Sequence, residues 1–188
     1  PKKVSKNFYH DLDKVLKTKK VKFFQLRLKK ASKNKIIKTG KKIKKITKKF
    51  GVSLIINDNP QLAKKINAEG CHVGQFDPSI LYARKILKKK IIGVTCHGSF
   101  KLVNKAIKNG PDYIAVGSFF RSKLKPGAKK ANTKIIRQIR KKTKIPVVVI
   151  GGINDKNYKK LINLGANYIA LSSFIWNNPS LKPEKAIM

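Results

Sequence analysis

The stretch Pro146-Val147-Val148-Val149-Ile150-Gly151 is apolar and β-branched, and the polar segment after it is typical of a helix that closes at Gly165. A run this apolar suits a strand buried on both faces of a parallel sheet. Six similar runs begin at residues 21, 52, 70, 91, 113 and 168. Such alternation of strands and helices leaves two architectures, a (β/α)8 barrel or an open doubly wound sheet.

The segments between these runs are predicted to be helices at residues 8–17, 33–49, 60–67, 79–88, 99–109, 133–142 and 156–164. Asn154 and Asp155 carry the N-cap signal of the last of them. Seven strands are one fewer than a TIM barrel needs, and the chain starts at Pro1 without a methionine. We therefore expect one α/β domain over residues 1–188, a (β/α)8 TIM barrel whose first strand lies upstream of Pro1.

Composition restricts the classes of partner. Lys and Arg number 46 against 8 Asp and Glu, a net charge of +38, yet only five of the cations are arginine. A nucleic-acid reader usually enriches arginine, so no specific nucleic-acid partner is predicted, although weak polyanion binding at low salt is expected. No apolar run is long enough to span a membrane. Two cysteines make no disulfide framework, so we expect a cytoplasmic protein. The protein could form a homo-oligomer.

In a barrel the chemistry sits where the strands end. The first run ends in Gln25-Leu26-Arg27-Leu28-Lys29, and period-two geometry places Gln25, Arg27 and Lys29 on one side. A guanidinium fork beside an ammonium suits a phosphate or pyrophosphate. The alternative interpretation is an alternating edge in a lysine-rich chain.

Two of the eight acids, Asp58 and Asp77, lie just beyond neighbouring strands. Two converging carboxylates can hold Mg²⁺, which prefers oxygen ligands. Equally, each acid can cap the helix that follows, because Asp58 precedes Pro60 and Asp77 precedes Ser79. The pattern alone does not decide between these two interpretations.

Two later features indicate an anion site. Gly151 and Gly152 follow a strand, where backbone N–H groups can approach a phosphate, and the next strand ends in Ser172-Ser173. The long cationic segment 118–127 is a candidate substrate loop or lid, or simply a basic loop.

The three histidines and two cysteines give weaker signals. His72 sits within a strand and is expected to pack inside the barrel, whereas His97 follows a strand end and could reach a substrate. Cys71 and Cys96 lack the paired spacing of a zinc site.

Taken in order, these motifs resemble the thiamine-phosphate synthase family. Residues 25–29 look like its Q-x-R-x-K, residues 54–58 like its I-N-D segment, residues 70–77 like its G-x-H-x-G-Q-x-D and residues 92–97 like its G-V-S-x-H. Residues 112–117, 150–153 and 172–173 complete the series.

The resemblance implies a (β/α)8 barrel that joins 4-amino-2-methyl-5-hydroxymethylpyrimidine diphosphate to a thiazole phosphate, releasing pyrophosphate in thiamine biosynthesis. It implies Mg²⁺ held by Asp58 and Asp77, with Arg27, Lys29 and Lys125 as the catalytic cations. The implied ligands of the pyrimidine diphosphate are Gln25, Leu26, Arg27, Leu28, Lys29, Asn57, Thr95 and Lys125. Those of the thiazole phosphate are Ser122, Lys123, Leu124, Gly152, Ser172 and Ser173. The chain departs from the family's T-x-T-K loop, because Leu124 has no hydroxyl.

Two alternatives remain. A thiazole tautomerase shares the fold and a phosphate site but isomerises a thiazole using a histidine, and it does not need the acid pair. A noncatalytic polyanion-binding protein would explain the charge, but the sequence shows no clustering of arginines and aromatics. Asp58, Asp77 and the Gln25-Arg27-Lys29 series favour the synthase.

Overall fold

The computed structural model describes residues 4–121, 127 and 129–188. Strands and helices alternate along them. The strands are β1 Phe23–Leu26, β2 Ser53–Asn57, β3 Gly70–Val73, β4 Ile91–His97, β5 Tyr113–Val116, β6 Val147–Ile150 and β7 Tyr168–Ala170. The helices are α1 Lys6–Lys17, α2 Lys33–Lys49, α3 Pro60–Ile66, α4 Ile80–Leu87, α5 Phe100–Lys108, α6 Lys134–Lys142, α7 Tyr158–Asn163, α8 Ser173–Trp176 and α9 Pro183–Ala186.

The sheet has the strand order of a barrel. Each strand pairs in parallel with the next one in the chain, in the order β1 to β7. In a doubly wound sheet the spatial order of the strands reverses at a switch point, and no such reversal occurs among the strands of this sheet. The sheet also curls, because the ring of Phe23 on β1 lies 5.4 Å from that of Tyr168 on β7. The prediction of a TIM-barrel-like fold is confirmed.

Aromatic side chains from alternate strands form a layer on the inner face of the curled sheet. Phe23, His72 and Tyr113 come from β1, β3 and β5, and Tyr168 comes from β7. The His72 and Tyr113 rings stack 5.5 Å apart, and Phe23 lies 6.4 Å from Tyr113. Such a layer from every second strand is typical of barrel interiors. His72 is buried, whereas Phe23 and Tyr168 are 38% and 37% exposed, so the layer is open to solvent where β1 and β7 face each other.

Gly93 on β4 makes room for this layer. A Cβ at Gly93 would lie within the ring of Tyr113, which pairs with Gly93 across β4 and β5. The outer face of the sheet is buried instead by the apolar stripes of the helices, for example by Ile43 of α2 and Leu62 of α3.

The helix boundaries largely follow the sequence prediction. The helix predicted at residues 33–49 is confirmed at both ends. The predicted N-cap at Asn154-Asp155 is wrong: α7 begins at Tyr158, because Asn154 Oδ1 accepts the Lys156 N–H and forms a separate turn. The one-turn helices α8 and α9 were not predicted, since four residues carry too little periodicity. None of the described helices is both long and apolar enough to cross a membrane.

Candidate active site

Polar side chains from β1 and β2 meet where these strands end. Gln25 Nε2 donates a hydrogen bond to Asn57 Oδ1 over 2.6 Å. Arg27 and Lys29 follow β1 and are exposed. The side chain of Leu26 points the other way and is only 4% exposed, so only its backbone can meet a ligand. The expected alternation along residues 25–29 is confirmed.

Asp58 and Asp77 come together at the ends of β2 and β3. Their carboxylates lie close enough for Asp77 to raise the pKa of Asp58. The helix-capping reading of these acids is wrong, because Asn59 caps α3 and Ser79 caps α4 through their side-chain oxygens. Asp77 Oδ2 instead accepts the N–H of Gly74 at 2.6 Å. Both carboxylates are therefore presented at the strand ends.

The surroundings of Asp58 disfavour its ionised form. Burial raises the pKa of Asp58, and the neighbouring Asp77 carboxylate raises it further, against the opposing effect of Lys29 and Arg27. Lys29 Nζ lies 4.0 Å from Asp58 Oδ2. Crowded carboxylates of this kind gain most from an additional cation.

This pair fits a hard divalent metal. The described residues contain no group of three or more His, Cys, Asp and Glu side chains able to hold an ion. Mg²⁺ does not require one, because it is usually bound by one or two carboxylates, with waters and substrate phosphates completing its octahedron. Asp58 and Asp77 supply that donor set.

A chain of hydrogen bonds crosses the interior just below these acids. His72 Nδ1 lies 2.8 Å from the Tyr113 hydroxyl, and His72 Nε2 lies 2.7 Å from Thr95 Oγ1. Burial lowers the pKa of His72 to about 4, so its imidazole is neutral at pH 7. Burial also raises the pKa of Tyr113 above its ordinary value. The prediction that His72 packs inside the barrel is confirmed.

Sequence reasoning missed Tyr113 and Gln75 as part of this region. Gln75 Nε2 donates to the carbonyl of Thr95 at 2.5 Å, which fixes the loop after β3 against β4. The available signal for Tyr113 was a hydroxyl at the start of an otherwise apolar run. Its partner in β3 depends on strand register, which the sequence does not display.

Glycines at the end of β6 seat the start of the long loop that follows β5. Gly151 and Gly152 have φ of +94° and +64°. The Phe120 N–H donates to the Gly151 carbonyl at 3.1 Å, and a Cβ at Gly152 would come within 2.7 Å of the Phe120 carbonyl oxygen. Glycine is thus required here by the backbone of this loop.

Ser172 and Ser173 follow β7, the neighbour of β6, so they lie at the strand end beside Gly152. Ser172 precedes α8 but makes no side-chain capping bond within the described residues. The predicted residues Ser122, Lys123, Leu124 and Lys125 lie outside the described residues. Their segment begins after Arg121, and the chain returns where the Ala131 N–H donates to the Ser118 carbonyl at 2.8 Å.

The remaining candidate residues, one histidine and two cysteines, differ in their exposure to solvent. His97 ends β4 and is exposed, with φ +50°. Cys71 and Cys96 are buried, and burial raises the pKa of each thiol to about 12.

Comparison with known proteins gives concordant results. The family model described as thiamine monophosphate synthase matches residues 1–175. The thiamine-phosphate synthase of Pelagibacter ubique is 54% identical over 182 residues, covering 96% of this chain and 87% of the relative. That of Clostridium acetobutylicum is 36% identical, covering 97% and 86%.

A solved structure agrees as well. The thiamine phosphate pyrophosphorylase of Pyrococcus furiosus superposes with a TM-score of 0.85 at 27% identity, covering 97% of this chain and 86% of that one. The family match, the two relatives and this superposition each extend over nearly the whole chain. The chain therefore belongs to the thiamine monophosphate synthase family.

Proposed function

We propose that the site at the strand ends performs the reaction for which the family is named: it joins the aminopyrimidine diphosphate to a thiazole phosphate and releases pyrophosphate. The observation that carries this proposal is the convergence of Arg27 and Lys29 with the Asp58–Asp77 pair. Two cations beside a metal-binding acid pair suit a diphosphate, whereas a purely basic patch does not need the acids.

Asp58 and Asp77 are proposed to hold Mg²⁺. Their fit rests on the close approach of the two carboxylates and on their freedom from capping bonds. The ion supplies neutralisation of negative charge on the diphosphate oxygens.

The cations of β1 act on the leaving group. The bond between the methylene carbon and the diphosphate oxygen breaks, and the electron pair stays on that oxygen. Arg27 and Lys29 stabilise this developing charge, together with Lys125, which lies outside the described residues. The aminopyrimidine ring delocalises the positive charge left on the methylene, and the lone pair of the thiazole nitrogen forms the new C–N bond. No protein nucleophile is required.

The remaining groups position the two substrates. The Gln25–Asn57 amide pair and the backbone of residues 26–28 line the proposed pyrimidine side, with Thr95 at the end of β4. Gly152, Ser172 and Ser173 line the proposed thiazole-phosphate side, where Ser122, Lys123 and Leu124 would contribute from the loop. Holding both substrates in line supplies much of the acceleration in a reaction of this type.

The partners implied are two small phosphorylated molecules. We propose that the protein acts in the cytoplasm without a dedicated nucleic-acid or membrane partner, and that it assembles as a homo-oligomer. The tautomerase alternative is not favoured, because it leaves the Asp58–Asp77 pair without a role.

The direct experiment mixes the purified chain with both phosphorylated substrates and Mg²⁺ and follows thiamine phosphate and pyrophosphate. We expect equimolar formation of the two products. Arg27→Gln should lower kcat by about 100-fold, the order expected for one electrostatic contact to a developing charge.

The matched control is Arg137→Gln, which removes the same charge from α6 on the outside of the barrel. It should leave kcat unchanged. No thiamine phosphate from the unmodified chain would reject the proposed function, and equal effects of the two substitutions would reject the role of Arg27.

A further inference from the structure

Three side chains on three neighbouring strands form one hydrogen-bonded chain. Tyr113 on β5 and His72 on β3 both pair with Gly93 of β4, and Thr95 lies two residues further along β4. The contacts are 2.8 Å from Tyr113 to His72 Nδ1 and 2.7 Å from His72 Nε2 to Thr95 Oγ1. The chain therefore runs from the interior layer towards the strand ends where substrate is proposed to bind.

A neutral imidazole carries one N–H donor and one acceptor nitrogen, so the chain has two arrangements. In the first, the Tyr113 hydroxyl donates to Nδ1 and the Nε2–H donates to Thr95 Oγ1. In the second, Nδ1–H donates to Tyr113 and the Thr95 hydroxyl donates to Nε2. The first leaves the Thr95 proton free, and the second leaves the Tyr113 proton free.

Acidity and position favour the first arrangement. A phenol is a stronger hydrogen-bond donor and a poorer acceptor than an aliphatic hydroxyl, because its oxygen lone pair is delocalised into the ring. The imidazole acceptor nitrogen thus pairs best with Tyr113, and the N–H pairs best with Thr95. The second arrangement would also leave the proton of Tyr113 without an acceptor among the described residues.

The position of Thr95 near the strand ends allows its free hydroxyl proton to reach a bound substrate. Thr95 is half-buried near the end of β4, and its carbonyl is held by Gln75 at 2.5 Å. Among the described residues its hydroxyl contacts only His72, which in the first arrangement donates to it, so the Thr95 proton has no acceptor. An acceptor atom of a substrate in the site would satisfy it.

We propose that Tyr113, acting through His72, fixes Thr95 as a hydrogen-bond donor towards the pyrimidine diphosphate. Tyr113 and His72 are positioning residues in this scheme, and Thr95 is the residue that touches substrate. The inference rests on the proposed function, since it states that Thr95 donates, and does not accept, the hydrogen bond to substrate within that site.

The tautomer of His72 tests the relay in the resting protein, without any substrate. Long-range ¹H–¹⁵N correlation spectra of the ¹⁵N-labelled chain should show His72 protonated at Nε2. The other two histidines, His10 and His97, are exposed and serve as internal references, identified from their His→Gln variants. In Tyr113→Phe the Nε2–H population should fall, because Thr95 then becomes the only hydroxyl able to donate to the ring.

Kinetics test whether the relay acts on substrate. Thr95→Val should lower kcat/KM for the pyrimidine diphosphate by about tenfold, the loss expected for one hydrogen bond. Tyr113→Phe should produce part of that loss and leave the KM for the thiazole phosphate unchanged. Thr95→Ser keeps the hydroxyl and should retain activity. In the double variant, Tyr113→Phe should cost nothing beyond Thr95→Val, because its effect passes through Thr95.

The matched control is Tyr82→Phe, which also removes a hydrogen-bonded hydroxyl, the acceptor of Gln61 Nε2 at 3.0 Å on the outer helices. It should change neither the His72 signals nor the kinetics. His72 protonated at Nδ1 in the unmodified chain overturns the relay, and so do additive losses in the double variant. Failure of the proposed function is recognised separately, as absence of product from the unmodified chain.

Discussion

At the scale of single residues, the conformation and surroundings of Asp58 lower the folding stability of the metal-free protein. Its φ is +66°, in the left-handed region that only Gly, Asn and Asp visit readily. Burial and Asp77 raise its pKa above the unfolded value. A carboxyl with a raised folded pKa favours folding most when it is protonated, so this contribution is lost as pH rises through the folded pKa. Above the folded pKa, the charged Asp58 therefore opposes folding.

Asp58→Asn should separate stability from function. Asparagine tolerates the same φ and removes the repulsion, so the metal-free variant should melt about 1–3 °C higher at pH 7, since exposure reduces the effect to less than about 1 kcal/mol. Mg²⁺ should raise the melting temperature of the unmodified chain but not of the variant, and synthase activity should fall by at least about 100-fold. Calorimetry with and without Mg²⁺ measures both arms.

The control for Asp58→Asn is Asp155→Asn, which removes an equal charge from an exposed turn. It should leave Mg²⁺ stabilisation and activity intact. Equal Mg²⁺ stabilisation of Asp58→Asn and the unmodified chain would show that the ion binds elsewhere.

Gly152 allows a second prediction at this scale. Gly152→Ala places a methyl against the backbone carbonyls of Phe120 and Arg121, so the start of the loop must move. We expect a several-fold rise in the KM for the thiazole phosphate and a loss of about 2 kcal/mol in the free energy of unfolding, from strain and displacement combined.

Gly51→Ala is a closely matched control. Gly51 has φ +65° against +64° for Gly152, but nothing lies within 4 Å of its added Cβ. Both variants carry the same backbone strain, and only Gly152→Ala displaces the loop. If the thiazole KM is unchanged in Gly152→Ala, the loop's position against β6 does not matter for that substrate.

At the scale of elements, an ion pair ties α2 to the sheet. Lys44 of α2 donates to Glu69 Oε1 just before β3, and Glu69 Oε2 accepts the Leu54 N–H of β2 at 2.9 Å. Burial alone would raise the pKa of Glu69, but the hydrogen bonds from Lys44 and Leu54 outweigh it, and the pKa is lowered. One carboxylate therefore joins three elements.

Glu69→Gln should weaken this junction in a pH-dependent way. A lowered folded pKa contributes stability above the unfolded value, about 4.3, and loses it as pH falls through the folded value. We expect the variant to be less stable by about 1 kcal/mol at pH 7, after allowing for partial exposure, with the gap narrowing below roughly pH 4. Urea unfolding across that range measures it.

Asp13→Asn provides the comparison, because Asp13 pairs with Lys49 at 3.1 Å on a more exposed surface. Its effect should stay within about 0.5 kcal/mol. A Glu69→Gln deficit that persists unchanged at low pH would mean that shape, rather than charge, holds α2.

The elements also show what sequence reasoning can reach. All seven strands were predicted because each lies in an apolar run rich in β-branched or aromatic residues. The expectation that such runs are buried on both faces is wrong for β1, where buried and exposed residues alternate, and for β7, which has no buried residue. The rule that polar residues at strand ends share one region correctly placed Arg27, Asp58 and Asp77 together. Whether the two acids bound metal or capped helices was undecidable from spacing, since Asn59 and Ser79 were equally available caps. The Tyr113–His72–Thr95 chain depends on register across three strands, which no local pattern records.

At the scale of the whole molecule, the charge of +38 should oppose folding. Within the described residues only four acids lie in ion pairs with a lysine or arginine. Most cations therefore face others of the same sign, more closely in the folded state than in the unfolded chain. The Debye length shortens from about 30 Å at 0.01 M salt to about 8 Å at 0.15 M, so added salt relieves this repulsion.

The melting temperature should accordingly rise by roughly 3–8 °C between about 0.01 M and 0.3 M NaCl. Screening depends on ionic strength, whereas an anion bound at the strand ends depends on its own concentration. Sodium sulfate at equal ionic strength should reproduce the chloride curve and add an increment from binding near Arg27 and Lys29. Arg27→Gln should reduce that increment and leave the chloride curve in place, because removing one of 46 cations barely alters the total field. A melting temperature that is flat or falls with NaCl would mean that lysine repulsion does not limit the fold.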